Sequence, residues 1–327
     1  MCATLIHRGP DDEGTWAGSG VALGSRRLAI LDPTPRGHMP MASPDGRYRL
    51  IHNGEIFNYR RLRPELERRG YRFLSDTDTE VLLYLFVERG PAMLKELNGQ
   101  FAFAVWDERE RSLFLARDHV GIKPLFYAHE EGELRFASEE KALFALGRAP
   151  EADPETLPEL LQFRYLAGGR TPYRGVRQLM PGSWLAWRDG RIETRRWWCL
   201  AERLREIPVD SPSSQASASI EYLELLDDAV TLQRISDVPL GVLLSGGLDS
   251  SAVAAGLARR SEAPIDSFTV RFDDPRYDEG PFARAVALCR EGRLGKINRI
   301  VVAIGGGDRG GPFKKEEPPP HLNWEMW

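Results

Sequence analysis

Cysteine is scarce in this chain: Cys2, Cys199 and Cys289 are the only three in 327 residues. An odd count without metal-ligand spacing excludes a disulfide-stapled scaffold and a zinc module, and points to a reducing, cytoplasmic setting. Long hydrophobic runs are also missing. No stretch approaches the roughly 20 apolar residues of a membrane helix, and the first residues lack the basic and apolar segments of a signal peptide. Neither sign of charge dominates, with 44 Lys and Arg against 48 Asp and Glu and a net charge of −4. No nucleic acid and no membrane is therefore expected as partner.

What is present is an ordinary globular composition, 42% hydrophobic, over a length that suits two domains. From about residue 14 to 150 short apolar runs alternate with turn signals: "GVALGSRRLAIL", "YRLIHNGEI", "FAFAVWD", "SLFLARD", "PLFYA" and "LRFASE". These read as strands. Two stretches have helical period instead, "NYRRLRPELERRG" and "DTEVLLYLFVERGPAMLKEL", the second with Asp78 placed to cap it. The pattern is an α+β sandwich.

Residues 151–215 read as a connecting segment that ends in the polar linker "PVDSPSSQASAS". Residues 216–289 then alternate helix, strand, helix, strand, as a parallel α/β unit does. From 290 to 327 Gly and Pro accumulate and apolar periodicity ends, which reads as a disordered tail or an altered reading frame.

The sharpest local signal is "PLGVLLSGGLDSSAVAAGLA". An apolar run meets Ser245-Gly246-Gly247-Leu248-Asp249-Ser250-Ser251, and a helical pattern follows directly. The glycines let a phosphate approach the backbone, and helix N-terminal amides with serine hydroxyls can donate to it. No lysine follows as in the G-x-x-x-x-G-K-[ST] loop, so γ-phosphate hydrolysis is not indicated. The stretch resembles the SGG-x-D-S pyrophosphate loop of ATP pyrophosphatases. The resemblance implies that Ser245, Gly246, Gly247 and Ser250 hold ATP phosphates and that Asp249 helps place Mg²⁺. It also implies that Val270, in "DSFTVRF", lies against the adenine with Leu244 on its other side.

In the first domain "HRGPDDEG", "SRRLAILD", "HNGEIFNYRRLR", "SDTDTEVLL", "LNGQFAFAVWD", "ARDHVGIKPLFY" and "ASEEKAL" follow one another. This order resembles the class II, N-terminal-nucleophile glutamine amidotransferases and, with the SGG loop behind it, the glutamine-hydrolysing asparagine synthetases. The implied fold is an N-terminal-nucleophile sandwich over 1–150, followed at 216–289 by the start of a parallel-sheet ATP pyrophosphatase domain. The implied glutamine site is Arg27, Leu28, Ala29, Ile30 and Leu31, with Arg27 on the ligand carboxylate. Glu55 and Asp78 would accept from its ammonium, and Asn53 with the Gly54 N–H would form the oxyanion hole. Arg26 is expected in solvent, because neighbours on a strand point oppositely. "Asn-Gly" also fits a hairpin turn, and His7, His38 and His52 read as structural.

The family's nucleophile is an N-terminal cysteine on an inner strand, and a strand and helix precede "HRGPD". A connection of that kind takes a dozen or more residues, whereas only Ala3 to Ile6 separate Cys2 from His7. Cys2 is therefore expected to be a helix residue of a chain truncated ahead of its first strand, and the family nucleophile to be absent. The far end is expected to lack the acceptor pocket. The reaction implied is ATP-dependent asparagine synthesis from aspartate, with glutamine as ammonia donor and a β-aspartyl adenylate as intermediate. A related enzyme with another acceptor, such as a β-lactam synthetase, or a non-catalytic remnant shares the same motifs. A homodimer is compatible with either.

Overall fold

The computed structural model describes residues 1–18, 20–147, 149–206, 215–261, 265–274, 276 and 278–288. They fall into two compact units that divide after Pro208. Most of the expected polar linker, Cys289 and the whole 290–327 tail lie outside the described residues. Among the described residues no helix is long and apolar enough to cross a membrane.

The first unit is organised by a six-stranded antiparallel sheet in the order β11-β10-β6-β5-β4-β3. Its members are β3 (Met41–Ala42), β4 (Tyr48–Ile56), β5 (Gly99–Asp107), β6 (Ser112–Arg117), β10 (Ser183–Arg188) and β11 (Arg191–Arg196). Strand β5 is buried without interruption from Phe101 to Asp107. Such a run means that both faces of the sheet are covered. On one face lie α1 (Tyr59–Arg68) and α2 (Asp78–Arg89). Phe86 of α2 packs 5.8 Å from the Tyr48 ring and 5.2 Å from that of Phe114.

The other face meets the hairpin of β1 (Asp12–Gly18) and β2 (Val21–Arg27), and a sheet ordered β8-β7-β9. The latter holds β7 (Phe126–Glu130), β8 (Glu133–Ala137) and β9 (Val176–Gln178). Leu23, Ala104, Trp106, Leu113, Leu115 and Leu185 form the core between the layers. Outside β7 and β8, a 3₁₀ helix at Cys2–Arg8 and α3 (Glu140–Phe144) close the stack over Ala128, Ala137 and Leu143. Alternation explains the arrangement, since Tyr127 and Phe136 enter the inter-sheet core while Phe126, Ala128 and Ala137 face the outer helices. The result is helix, sheet, sheet, helix.

Three expectations are corrected. The 151–215 stretch is not a connector throughout, because β9 joins the second sheet and β10 and β11 extend the first. The second helical stretch ends at Arg89, where Gly90 takes φ +55° and Pro91 follows, and a 3₁₀ helix covers Gly90–Glu96. Thr77 rather than Asp78 caps α2, its hydroxyl accepting from the Glu80 N–H.

The second unit contains, after α4 (Leu157–Phe163) and α5 (Leu200–Glu206) of the first, α6 (Gln215–Leu232), β12 (Gly241–Leu243), α7 (Leu248–Arg259), β13 (Asp266–Phe268) and α8 (Gly280–Leu288). Strands β12 and β13 pair in parallel, with α7 as the crossover. Val230, Val242, Leu244, Ala254, Leu257 and Ala283 form its core.

Candidate functional site

A cavity of about 530 Å³ opens in the first unit between the end of β2, the C-terminal half of β4, the start of α2 and the loop after β6. Arg27, Leu28, Ile30, Leu31, Asn53, Gly54, Glu55 and Asp78 all line it. Residues drawn from three separate motifs thus meet at one place. Ala29 is not on the wall; its N–H donates to the Asp11 carboxylate at 2.8 Å.

The "Asn-Gly" pair is not a hairpin. Asn53, Gly54 and Glu55 lie inside β4, opposite Ala102, Phe101 and Gln100. Gly54 takes φ +147°, and a Cβ there would collide with the Gln100 carbonyl oxygen. Its backbone therefore forms part of the cavity floor. The Asn53 side-chain amide donates to Ser138 Oγ at 3.4 Å.

Asp78 stands at the first turn of α2 and accepts from the Ile56 N–H at 2.7 Å. Beside it Glu55 Oε1 is buried without any partner. Burial, then the Asp78 charge, push the Glu55 carboxyl up to about 7, against a smaller opposing pull from Lys123. A cationic ligand group would relieve both effects.

Arg27 presents less of a fork than its role in the family implies. Its guanidinium donates to the carbonyls of Leu31 at 2.6 Å, Asp32 at 2.7 Å and Thr34 at 3.3 Å. Three of its five N–H groups thus shape the Leu28–Leu31 wall, and two are left for a ligand. Arg26 is not in solvent. It lines the cavity and donates to Gly9 O at 2.8 Å and to Glu13 at 2.5 Å.

His7 and His52 also reach the cavity, whereas His38 pairs with Asp12 at 2.8 Å away from it. His52 Nδ1 meets Thr79 Oγ1 at 3.2 Å and lies 4.0 Å from Asp78, while its Nε2 is buried without a partner. Burial holds the imidazole below its ordinary pKa, despite the Asp78 charge. His7 binds Glu139 at 2.7 Å, and Arg8 and Lys141 bind the same carboxylate. Burial opposes ionisation of Glu139, but these three hydrogen bonds bring it down to about 2.

Sequence reasoning passed over Lys123, which ends the loop that "RDHVGIK" forms. Asp118 accepts from the backbone N–H groups of Phe101, Val120, Gly121, Ile122 and Lys123. Arg117 donates to the carbonyls of Gly121, Lys123 and Leu179, each at 2.7 Å. The available signal was an adjacent Arg-Asp pair leaving a strand, since buried ions of both signs must find partners.

Cys2 does not line the cavity. It sits on the first 3₁₀ helix with its Sγ packed against Gly24 of β2. Burial raises its thiol pKa, the reverse of what activates a nucleophile.

In the second unit the SGG loop joins β12 to α7 as the sequence pattern implies. Gly246 takes φ +83° and a Cβ there would lie 2.6 Å from Ala283 N. Ser245 and Ser250 hydroxyls meet at 2.9 Å, and Ser251 Oγ is buried without a partner. Leu244 directly follows β12 and leads into the loop, and it is buried. Its side chain belongs to the core, its N–H donates to Phe268 O at 2.8 Å and its carbonyl accepts from Thr269 Oγ1 at 2.7 Å. Val270 remains partly exposed. Among the described residues no group of three His, Cys, Asp or Glu could hold a metal.

A four-layer sandwich with a charged cavity at the ends of its inner strands defines the N-terminal-nucleophile, class II amidotransferase fold. The family model described as "Glutamine amidotransferase domain" matches residues 1–198, and the chain belongs to that family. A second family model, "Asparagine synthase", matches residues 221–291. The chain is 36% identical over 285 residues to "Asparagine synthetase [glutamine-hydrolyzing] 3" of Bacillus subtilis (strain 168), covering 84% of this chain and 45% of that protein. To "Amidase chry2" of Gibberella zeae it is 31% identical over 303 residues, covering 88% and 43%. Among solved structures, the glutamine phosphoribosylpyrophosphate amidotransferase of B. subtilis complexed with ADP and GMP shares 19% identity at a TM-score of 0.43. That likeness covers 83% of this chain and 62% of the other. The chain spans just under half the length of the curated relatives it matches.

Proposed function

We propose that the first unit binds glutamine and presents its side-chain amide for hydrolysis, as the ammonia source of an asparagine synthetase. The observation that carries this reading is the buried Glu55 oxygen without a partner, beside Asp78 in a cavity with ample room for an amino acid. Glu55 and Asp78 accept from the ligand ammonium. Asn53 Nδ2 and the Gly54 N–H would donate to the oxyanion formed when a thiolate of the family's kind adds to the amide carbon, before ammonia leaves; Cys2, outside the cavity, is not that thiolate.

The second unit carries the matching site for the phosphates of ATP. Residues Ser245, Gly246, Gly247 and Ser250 cradle phosphates at the N-terminus of α7, where unsatisfied helix amides favour an anion. The buried, unpartnered Ser251 hydroxyl lies in the same turn. Aspartate's side-chain carboxylate attacks the α-phosphorus, pyrophosphate leaves, and ammonia then displaces AMP from the β-aspartyl adenylate to give asparagine. Asp249 would hold Mg²⁺ together with phosphate oxygens, and the ion would neutralise charge on the leaving pyrophosphate. The fungal amidase relative favours a second reading, the same two units with another acceptor.

Titration calorimetry of the chain with glutamine, asparagine and glutamate at pH 8 tests the first unit. Saturable binding that favours glutamine is expected. No binding of any of the three sinks the reading.

A further inference from the structure

We propose that Lys123 reads the carboxylate of the amino-acid ligand and so sets the cavity's selectivity for zwitterions, an inference that rests on the glutamine reading and deepens it. Four cationic side chains other than histidine line the cavity: Arg8, Arg26, Arg27 and Lys123. Three are engaged by the protein. Arg8 binds Glu139, Arg26 binds Glu13 and the Gly9 carbonyl, and Arg27 spends three N–H groups on its own loop. Lys123 differs, since its only hydrogen bonds are through the main chain, and no partner among the described residues reaches Nζ.

The position is built rather than incidental. Five backbone N–H groups converge on Asp118 and three carbonyls on Arg117, so the loop that carries Lys123 is fixed before any ligand arrives. A half-buried ammonium without a partner is costly unless a ligand supplies one. Burial and the Arg8 charge both pull the Lys123 pKa down, which is the mark of that cost.

Placement identifies the ligand group. Lys123 and Glu55 feel each other's charge, yet no ion pair within 4.0 Å joins them. An α-amino acid carries its ammonium and carboxylate on the same carbon, so it suits a cation placed near the carboxylate acceptors but not on them. The ligand ammonium goes to Glu55 and Asp78, and the carboxylate turns to Lys123. A lysine offers a point charge rather than a fork, so it complements the two donors that Arg27 has left.

Calorimetry on the whole chain, with glutamine and with 4-aminobutanamide, which is glutamine without its carboxylate, tests this. The wild type is expected to bind glutamine at least about tenfold more tightly than the carboxylate-free amide. Lys123→Met is expected to lose about tenfold for glutamine and nothing for 4-aminobutanamide, with Lys123→Arg recovering part of the loss. Thermal melting checks that each variant is folded, and Lys123→Gln takes the place of Lys123→Met if the latter is not. Unchanged glutamine binding in the neutral variant, or an equal loss for both ligands, overturns the assignment. A wild type that binds neither ligand overturns the glutamine reading and this one together, and a silent wild type is readily told apart from an indifferent variant.

Discussion

Replacing Glu55 by glutamine should make the protein more stable at pH 8 while weakening its hold on glutamine. Burial and then Asp78 raise the folded-state pKa of Glu55 to about 7, against an ordinary 4.5. The sign follows from linkage: a carboxyl whose folded pKa lies above its unfolded one contributes stability that is fully present below 4.5. That contribution is lost as pH rises through about 7. Taken at face value the interval corresponds to about 3.4 kcal/mol. Glu55 is only partly shielded from water, and screening reduces the effect to roughly 1–2 kcal/mol. Glu55→Gln removes the charge and keeps the shape, so the variant should gain that amount at pH 8 and almost nothing at pH 4.5. Urea unfolding of both proteins across this range measures the difference directly. The same substitution should cost glutamine binding about tenfold at pH 8, because a charge-assisted acceptor of the ligand ammonium is gone. In the wild type, affinity should rise as pH passes upward through about 7. A variant no more stable than wild type at pH 8, or a wild type whose unfolding is flat between pH 4.5 and 8, would refute the reasoning.

Asp118→Asn leaves one acceptor oxygen where two carboxylate oxygens serve five N–H groups, and should cost about 2–4 kcal/mol in urea unfolding. A loss below about 0.5 kcal/mol would mean that water or loop movement satisfies those donors. Gly54→Ala drives a Cβ into the Gln100 carbonyl at a φ of +147°, so it should lower the melting temperature and abolish glutamine binding. Gly246→Ala meets Ala283 N and Phe282 Cβ, each at 2.6 Å. It should remove pyrophosphate binding measured by calorimetry while leaving glutamine binding unchanged.

Strands β4 to β8 were legible because their residues alternate or run apolar between clear turn signals, and "YRLIHNGEI" matches β4 from end to end. The parallel β12-α7-β13 unit was legible for the same reason. The limits of α2 were not, since the apolar period of "FVERGPAMLKEL" continues past Gly90 and Pro91 and outweighed the Gly-Pro stop signal at which the helix ends. Strand β11 was missed because the charged "RDGRIETRR" hides a strand whose outward face is fully polar. In the cavity, the motif order identified Glu55, Asp78 and Gly54 as neighbours. It could not show that Arg27 turns back on its own loop, because carbonyl partners leave no trace in side-chain identity.

The unit's buried carboxylates divide into two kinds, and the one left without a partner lies in the cavity. Glu80 is buried, yet its carboxylate accepts from the N–H groups of Leu74 and Ser75, from Ser75 Oγ and from the Tyr84 hydroxyl. Asp118 is fully enclosed and fully satisfied, and Asp32 takes the Thr34 N–H and hydroxyl and the Asp76 N–H. These groups hold loops in place, and each is neutralised by donors the protein supplies. Glu55 Oε1 and His52 Nε2 lie a few residues away with none. A fold that satisfies three buried carboxylates so completely could have satisfied a fourth with one more hydroxyl. Buried polar groups in native proteins nearly all find partners, and the exceptions cluster where a ligand completes the set. Glu55 Oε1, which faces the cavity beside Asp78, is the atom an amino-acid ammonium would meet, and it is what Glu55 lacks that favours glutamine.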